Sequence, residues 1–294
     1  MTQDRRIIET RAAVRNTPVK PRDWEAILDD DDTEAVEVDG GEMALAVRDG
    51  QLHLMFAFDS NEVMKAAFNP MWAALQPKLK RFKTYQYCRF DLVAFPVREW
   101  IDHMLDEADF LLQGGWIEME HRDAGDITPP EPPAGVAIRR AAPADLDRIL
   151  EIEADSYGVF SDGSAVTSAR FEAAPWTGVL EEDGEVIAYA INAAVEGGLG
   201  RTLSLGVAPE ARGRGLGSTM LQAAAYQLAA TGGRRLAATA RPDIPGSVDA
   251  ARRLGYRAGR SGTEFRRSLD ERANKARRQQ RHVEGMKVRF GEWR

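Results

Sequence analysis

Val207-Ala-Pro-Glu-Ala-Arg-Gly-Arg-Gly-Leu-Gly217 joins two segments of different periodicity. Before it, Thr202-Leu-Ser-Leu-Gly-Val207 alternates as a strand does. After it, apolar residues at 216, 220, 221, 224 and 228 fall on one face of a helix running to Ala230. Glycines at 213, 215 and 217 let the backbone bend sharply, and let a ligand approach main-chain N–H groups with no Cβ in the way. The free N–H groups of the first helical turn point to the same place, which suits an anion such as a pyrophosphate. Arg212 and Arg214 can add charge-assisted bonds to phosphate oxygens. The same glycines would also serve a purely structural turn with solvated arginines.

Two other phosphate loops do not fit. A P-loop ends in Gly-Lys-Ser/Thr, and Leu216-Gly217-Ser218 lacks the lysine. A dinucleotide loop needs wider glycine spacing and an acidic residue at the end of the next strand, where Arg241-Pro242 stands instead.

The surroundings add context. Val136-Ala-Ile-Arg-Arg140 reads as a strand, and Pro143-Ala-Asp145 starts a helix with Leu146, Ile149, Leu150 and Ile152 on or near its apolar face. Asp183-Gly184 centres a hairpin between strands at 178–180 and 186–190. A strand at 235–240, a short helix at 247–254 and a last strand at 263–269 follow. Strands followed by helices predict an α/β or α+β unit with a mixed sheet.

With that context, the segment resembles the acyl-CoA loop of the GNAT superfamily of N-acetyltransferases, written Arg/Gln-x-x-Gly-x-Gly/Ala and here Arg212-Gly-Arg-Gly215-Leu-Gly217. Gly206-Val207-Ala-Pro209 precedes it as in the family, and Arg253-Leu-Gly-Tyr256 resembles the family's terminal Leu-Gly-Phe. The resemblance covers roughly residues 136–269. It implies a mixed sheet that splays at the strand before the loop, and acetyl-CoA as acyl donor. The main chain of Leu205, Gly206 and Val207 would run beside the pantetheine. The N–H groups of Arg212, Gly213, Arg214, Gly215, Leu216 and Gly217, with Ser218, would hold the pyrophosphate. The implied reaction is direct acetyl transfer to a primary amine of a small molecule or peptide.

Upstream, Asp126-Ile-Thr-Pro-Pro-Glu-Pro-Pro-Ala-Gly135 has four prolines in five positions and reads as a semi-rigid linker. The expected organisation is therefore a divergent α/β unit at 1–125, a linker at 126–135, the acyl-CoA unit at 136–269 and a basic tail at 270–294. The first unit offers two strands around Asp49-Gly50, a helix from 61 to 79 that Pro70 should kink or divide, a strand at 85–95, a helix at 98–112, and Gly114-Gly-Trp116 turning into a short strand. From strand start to closing aromatic, the two units run about 65 and about 54 residues in the same order of elements. The first unit resembles a degenerate copy of the same fold. Its equivalent of the loop, Phe58-Asp-Ser-Asn-Glu-Val-Met-Lys65, has neither arginine nor glycine and should not bind CoA in the usual way.

The formal charge is −7, which does not suit a coat for nucleic acid or an anionic membrane. Ten basic and four acidic residues from Arg266 to Arg294 give that stretch +6, so the rest carries −13. The tail reads as a solvated arm, a helix packed on the protein's own acidic surface, or an arm reaching a partner in a homodimer; sparse aromatics argue against nucleic acid. Cys88 is the single cysteine and reads as a strand residue. The start lacks a signal-peptide pattern and no stretch is long enough to span a bilayer, so a cytoplasmic protein is expected. The histidines at 53, 103, 121 and 282 show no ligand spacing and fall outside the second unit's expected core, so no metal is expected. Trp72, Trp100 and Trp116 read as core or interface residues.

Acyl transfer needs a neutral amine, a stabilised oxyanion and, for the departing thiolate, a proton. The family's tyrosine for that proton would stand four residues before Gly255, where this chain has Ala251. Ser204, Glu153 and Tyr157 are the replacements considered, with Asp155 and Asp243 behind them and Tyr256 read as structural. The alternatives are a non-catalytic CoA-binding regulatory module and a pseudo-enzyme scaffold.

Overall fold

The computed structural model describes residues 14–16, 21–48, 50–93, 99–158 and 161–279. The chain divides into two units, one of residues 1–113 with 264–294 and one of residues 114–263. The proline run is therefore not the boundary.

The first unit opens with β1 (Val14–Arg15), α1 (Pro21–Leu28), β2 (Glu34–Val38), β3 (Gly41–Arg48) and β4 (Gln51–Phe58). It continues with α2 (Asn61–Leu75), a 3₁₀ turn (Gln76–Phe82), β5 (Tyr87–Val93) and α3 (Glu99–Glu107). Strands β2, β3 and β4 form an antiparallel meander, and β4 meets β5 in parallel at Leu52↔Cys88 and His53↔Arg89. Every second residue of β4 points into a core of Phe56, Phe58, Phe68, Phe90 and Phe110, with Trp72 against Phe110. That core absorbs α2 through Met64, Phe68, Met71 and Leu75, so Pro70 does not divide the helix as expected. Cys88 is buried in the same core as a strand residue. The end of β12 (Arg257–Ser268) completes this unit's sheet beside β5. Its Arg267 is fully buried, lies over the Trp72 ring at 5.5 Å and pairs with Glu271. Residues 271–279 are helical and pack on this unit, with Arg278 3.5 Å from Asp109. Residues 280–294, His282 among them, and the Trp100 side chain lie outside the described residues.

The second unit contains β7 (Val136–Arg140), α4 (Leu146–Tyr157), α5 (Ser164–Ala173), β8 (Trp176–Glu182), β9 (Glu185–Asn192), β10 (Leu199–Val207), α6 (Leu216–Ala230), β11 (Arg235–Ala240) and α7 (Ser247–Arg253). The sheet runs β7-β8-β9-β10-β11-β6, then the first half of β12. Here β6 (Leu111–His121) is a single strand through Gly114-Gly115, not a turn into a short strand, and its second half pairs antiparallel with β11 from Leu236↔His121 to Ala240↔Ile117. It precedes the proline run in sequence yet completes the second unit, which corrects the expected borders. It also puts His121 inside this unit's core, its ring 5.3 Å from Tyr256, contrary to expectation. The hairpin turn has Asp183 at φ 52° and Gly184 at φ 84°, the paired left-handed residues of a type I′ turn.

The two units share one arrangement. β3-β4-α2-β5-α3 repeats in β9-β10-α6-β11-α7, with the same antiparallel and parallel pairings. Among the described residues, no helix is long and apolar enough to cross a membrane, and no group of three His, Cys, Asp or Glu could hold a metal ion.

Candidate active site

The site is built on an opening in the second unit's sheet. β10 pairs in parallel with β11 from Leu199↔Arg235 to Thr202↔Ala238, and there the parallel ladder stops. From Ser204 to Val207, β10 continues against β9, while β11 continues against β6. At the point of separation β10 takes two residues where β9 takes one: Thr202 faces Asn192 and Ser204 faces Ile191. This bulge at Leu203 re-aims the strand. Thr202 faces α6, donating 3.0 Å to Asn192 Oδ1, whose amide donates 2.9 Å to the Ala224 carbonyl. Ser204, two positions on, faces α4 instead.

On the α4 side, Ser204 joins a buried polar cluster. Its hydroxyl donates 2.8 Å to Glu153 Oε2 and lies 2.7 Å from the Tyr189 hydroxyl, which also donates to Glu153. Glu153, Tyr189 and Ser204 are 3%, 0% and 6% exposed. Burial pushes the Glu153 carboxyl above the ordinary carboxylate range, against the opposing hydrogen bonds from Tyr189 and Ser204. The Asp162–Arg170 pair, closed at 2.6 Å, acts on the same carboxyl, the aspartate raising it and the arginine lowering it.

One turn after Glu153, Tyr157 reaches into the opening itself. Its hydroxyl donates 2.8 Å to the Leu205 carbonyl and accepts from the Leu205 N–H at 3.4 Å. Burial, and then the neighbouring Glu153, push the phenol up to about 12, so it keeps its proton at neutral pH. Arg241, buried at the end of β11, acts on Tyr157 in the opposite direction. The close seating of α4 rests on Gly206: a Cβ there would lie 2.6 Å from Tyr189 Cε1 and 2.9 Å from Ser156 Oγ. Ser156 Oγ in turn donates 3.3 Å to the Val207 carbonyl.

Beyond Val207, a 3₁₀ turn over Pro209–Ala211 leads into the glycine segment. Gly213 and Gly215 take φ of 78° and 80°, open to L side chains only under strain, with no atom near where a Cβ would stand. Gly215 is the N-cap of α6 and brings no side chain to its N-terminus. The main-chain N–H groups of Leu216 and Gly217 are thus left for an external acceptor, whereas that of Ser218, expected among the donors, is taken by the Gly215 carbonyl at 3.0 Å as the first turn tightens. The arginines have partners within the protein. Arg212 donates to the carbonyls of Val207, at 3.1 Å, and Asp155, at 3.0 Å, tying the end of β10 to the end of α4. Arg214 makes a two-bond pair with Glu182 at 2.8 and 2.6 Å.

Ser204, Glu153 and Tyr157 therefore converge, with Leu205 to Val207 beside them and residues 212–218 at the next helix. Tyr189 and Arg241 were missed by the sequence reading. A lone phenol in the apolar run Val186-Ile-Ala-Tyr-Ala190 was the available signal for the first. Asp243 accepts 3.2 Å from the Gly115 N–H and holds β6, a structural use. Asp155 is exposed and offers its carbonyl, not its carboxylate, to Arg212. Ala251 is buried in an apolar cluster with Leu221, Leu236 and Tyr256, and brings no polar group.

Residues 146–256 match the family model for the acetyltransferase (GNAT) family. No curated protein matches the sequence significantly. Among solved structures, a GCN5-related N-acetyltransferase from Sphaerobacter thermophilus superposes with a TM-score of 0.56 at 15% identity, covering 88% of this chain and 96% of its own. One from Kribbella flavida gives 0.53 at 20% identity, over 80% and 89%. A tandem GNAT protein from the clavulanic acid biosynthesis pathway gives 0.52 at 15% identity, over 81% and 84%.

Proposed function

We propose that this chain, whose second unit is a GNAT acetyltransferase unit within a tandem of that fold, transfers an acetyl group from acetyl-CoA to a primary amine of a small molecule or peptide. The reading is carried by one conjunction: an opened β10 edge, a side-chain-free helix N-terminus after it, and a buried acid–hydroxyl cluster at its rim. Acetyl-CoA supplies a thioester whose carbonyl carbon the amine attacks, with a thiol as leaving group.

The chain's residues supply the rest. N–H groups from Gly213 to Gly217 bind the pyrophosphate, and Arg212 holds the turn in place by its bonds to Val207 and Asp155. The main chain of Leu205, Gly206 and Val207 runs beside the pantetheine. Glu153, through Ser204, accepts the proton of the attacking amine. Tyr157 retains a proton beside Leu205 and can give it to the leaving thiolate, the task for which Ala251 has no group. Tyr189 fixes Glu153 and Ser204 against each other.

The buried, apolar setting of Ala251 favours one second reading, a regulatory module that binds acetyl-CoA without turnover. Calorimetric titration with acetyl-CoA, followed by thiol release over a broad amine panel, separates the two. Binding with release is expected; binding with no release from any amine would leave the regulatory module standing.

A further inference from the structure

The first unit repeats the opening described above, and the chain's own N-terminal segment fills it. β4 and β5 share only two paired positions before they part, as β10 and β11 part after Thr202. Into that gap β1 inserts, with Val14↔Phe58 and Arg15↔Ala57 antiparallel on the edge that β5 has left. Asn16 follows, 1% exposed. Its amide nitrogen donates 2.9 Å to the Leu54 carbonyl, and its Oδ1 accepts 2.8 Å from the Phe56 N–H. Its carbonyl accepts 3.1 Å from the Val93 N–H across the gap on β5. One primary amide thus satisfies alternate main-chain groups of β4 as a secondary amide of a threaded ligand would.

The helix that follows is closed as well. Ser60 caps α2 by accepting 3.2 Å from the Val63 N–H, and Glu62 adds negative charge in the first turn. The equivalent end of α6 has glycine and no side-chain cap.

We infer that Val14–Asn16 is a built-in occupant of the first unit's slot, so that the chain takes a single acyl-CoA, in its second unit. This rests on the acyl-CoA reading above. The test uses the full chain in two arms. Calorimetry with acetyl-CoA should give one site per chain in the wild type and none in Gly215→Val, with circular dichroism confirming that the variant is folded. Two sites, or binding retained by the folded Gly215→Val protein, would overturn the inference. No binding by the wild type would defeat the acyl-CoA reading itself. Hydrogen exchange then decides the plug independently. Asn16→Ala should speed exchange of the Phe56 amide, which loses its side-chain acceptor, by about tenfold, the scale of one lost hydrogen bond. Unchanged exchange at Phe56 would show that Asn16 does not hold the gap.

Discussion

A carboxyl as enclosed as Glu153 acts as a base only when it has lost its proton, and its surroundings delay that loss. Burial stabilises the neutral acid, so below the raised pKa the group cannot accept a proton from an amine. On the proposed mechanism kcat/KM should therefore rise with pH along a limb that lies above the ordinary carboxylate range. Glu153→Gln should flatten that limb and lower the rate by about 10²-fold; a limb that survives the substitution would assign it to another group. Tyr157, held up to about 12, should add no alkaline limb near neutrality. Tyr157→Phe should lower kcat with little change in KM for acetyl-CoA, because the lost group gives a proton and is not proposed to carry binding. Cys88 belongs to this scale too. Its thiol, buried and pushed up to about 12, should resist a disulfide reagent in the native protein and react promptly in denaturant. Rapid native reaction would contradict the burial of β5.

At the scale of elements, the decisive contact is α4 lying on β10 without a side chain between them at residue 206. Gly206→Ala forces a methyl group against Tyr189 and Ser156 and should cost about 1–3 kcal/mol, the usual price of overpacking, seen as a lower denaturation midpoint. A midpoint equal to the wild type would mean that α4 sits farther off. The strand, loop and helix around Gly215 were legible in the sequence because each has a local signature: alternation, glycine spacing, helical periodicity. The three polar candidates were also legible as residue types. Their convergence was not, because it depends on the bulge at Leu203, a mismatch in residue count between β10 and β9 that neither strand records alone. Pro70 misled in the opposite sense. Its local cost was visible, whereas the buried Met64, Phe68, Met71 and Leu75 that hold α2 together were tertiary facts.

At the scale of the molecule, the proline run was read as a domain border because its composition forbids regular structure. It is a connection, but not the division between units. β6 lies before it and serves the second unit; the end of β12 lies far after it and serves the first. A fragment starting at Asp126 would lose β6, uncovering β11 along Leu236–Ala240 and removing Met119 from its cluster. We expect that fragment to lack a cooperative thermal transition, while one starting at Leu111 recovers it, both read by circular dichroism. A sharp transition in the shorter fragment would refute the assignment of β6.

The placement of residues 264–268 has a consequence for synthesis. The first unit's sheet needs a strand that leaves the ribosome only after the whole second unit has been made. Its aromatic core can collapse early, but Phe265 and Arg267 arrive after residues 114–263. Translation therefore yields a half-finished first unit with β5 exposed along one edge, open to wrong pairing until the final strand emerges.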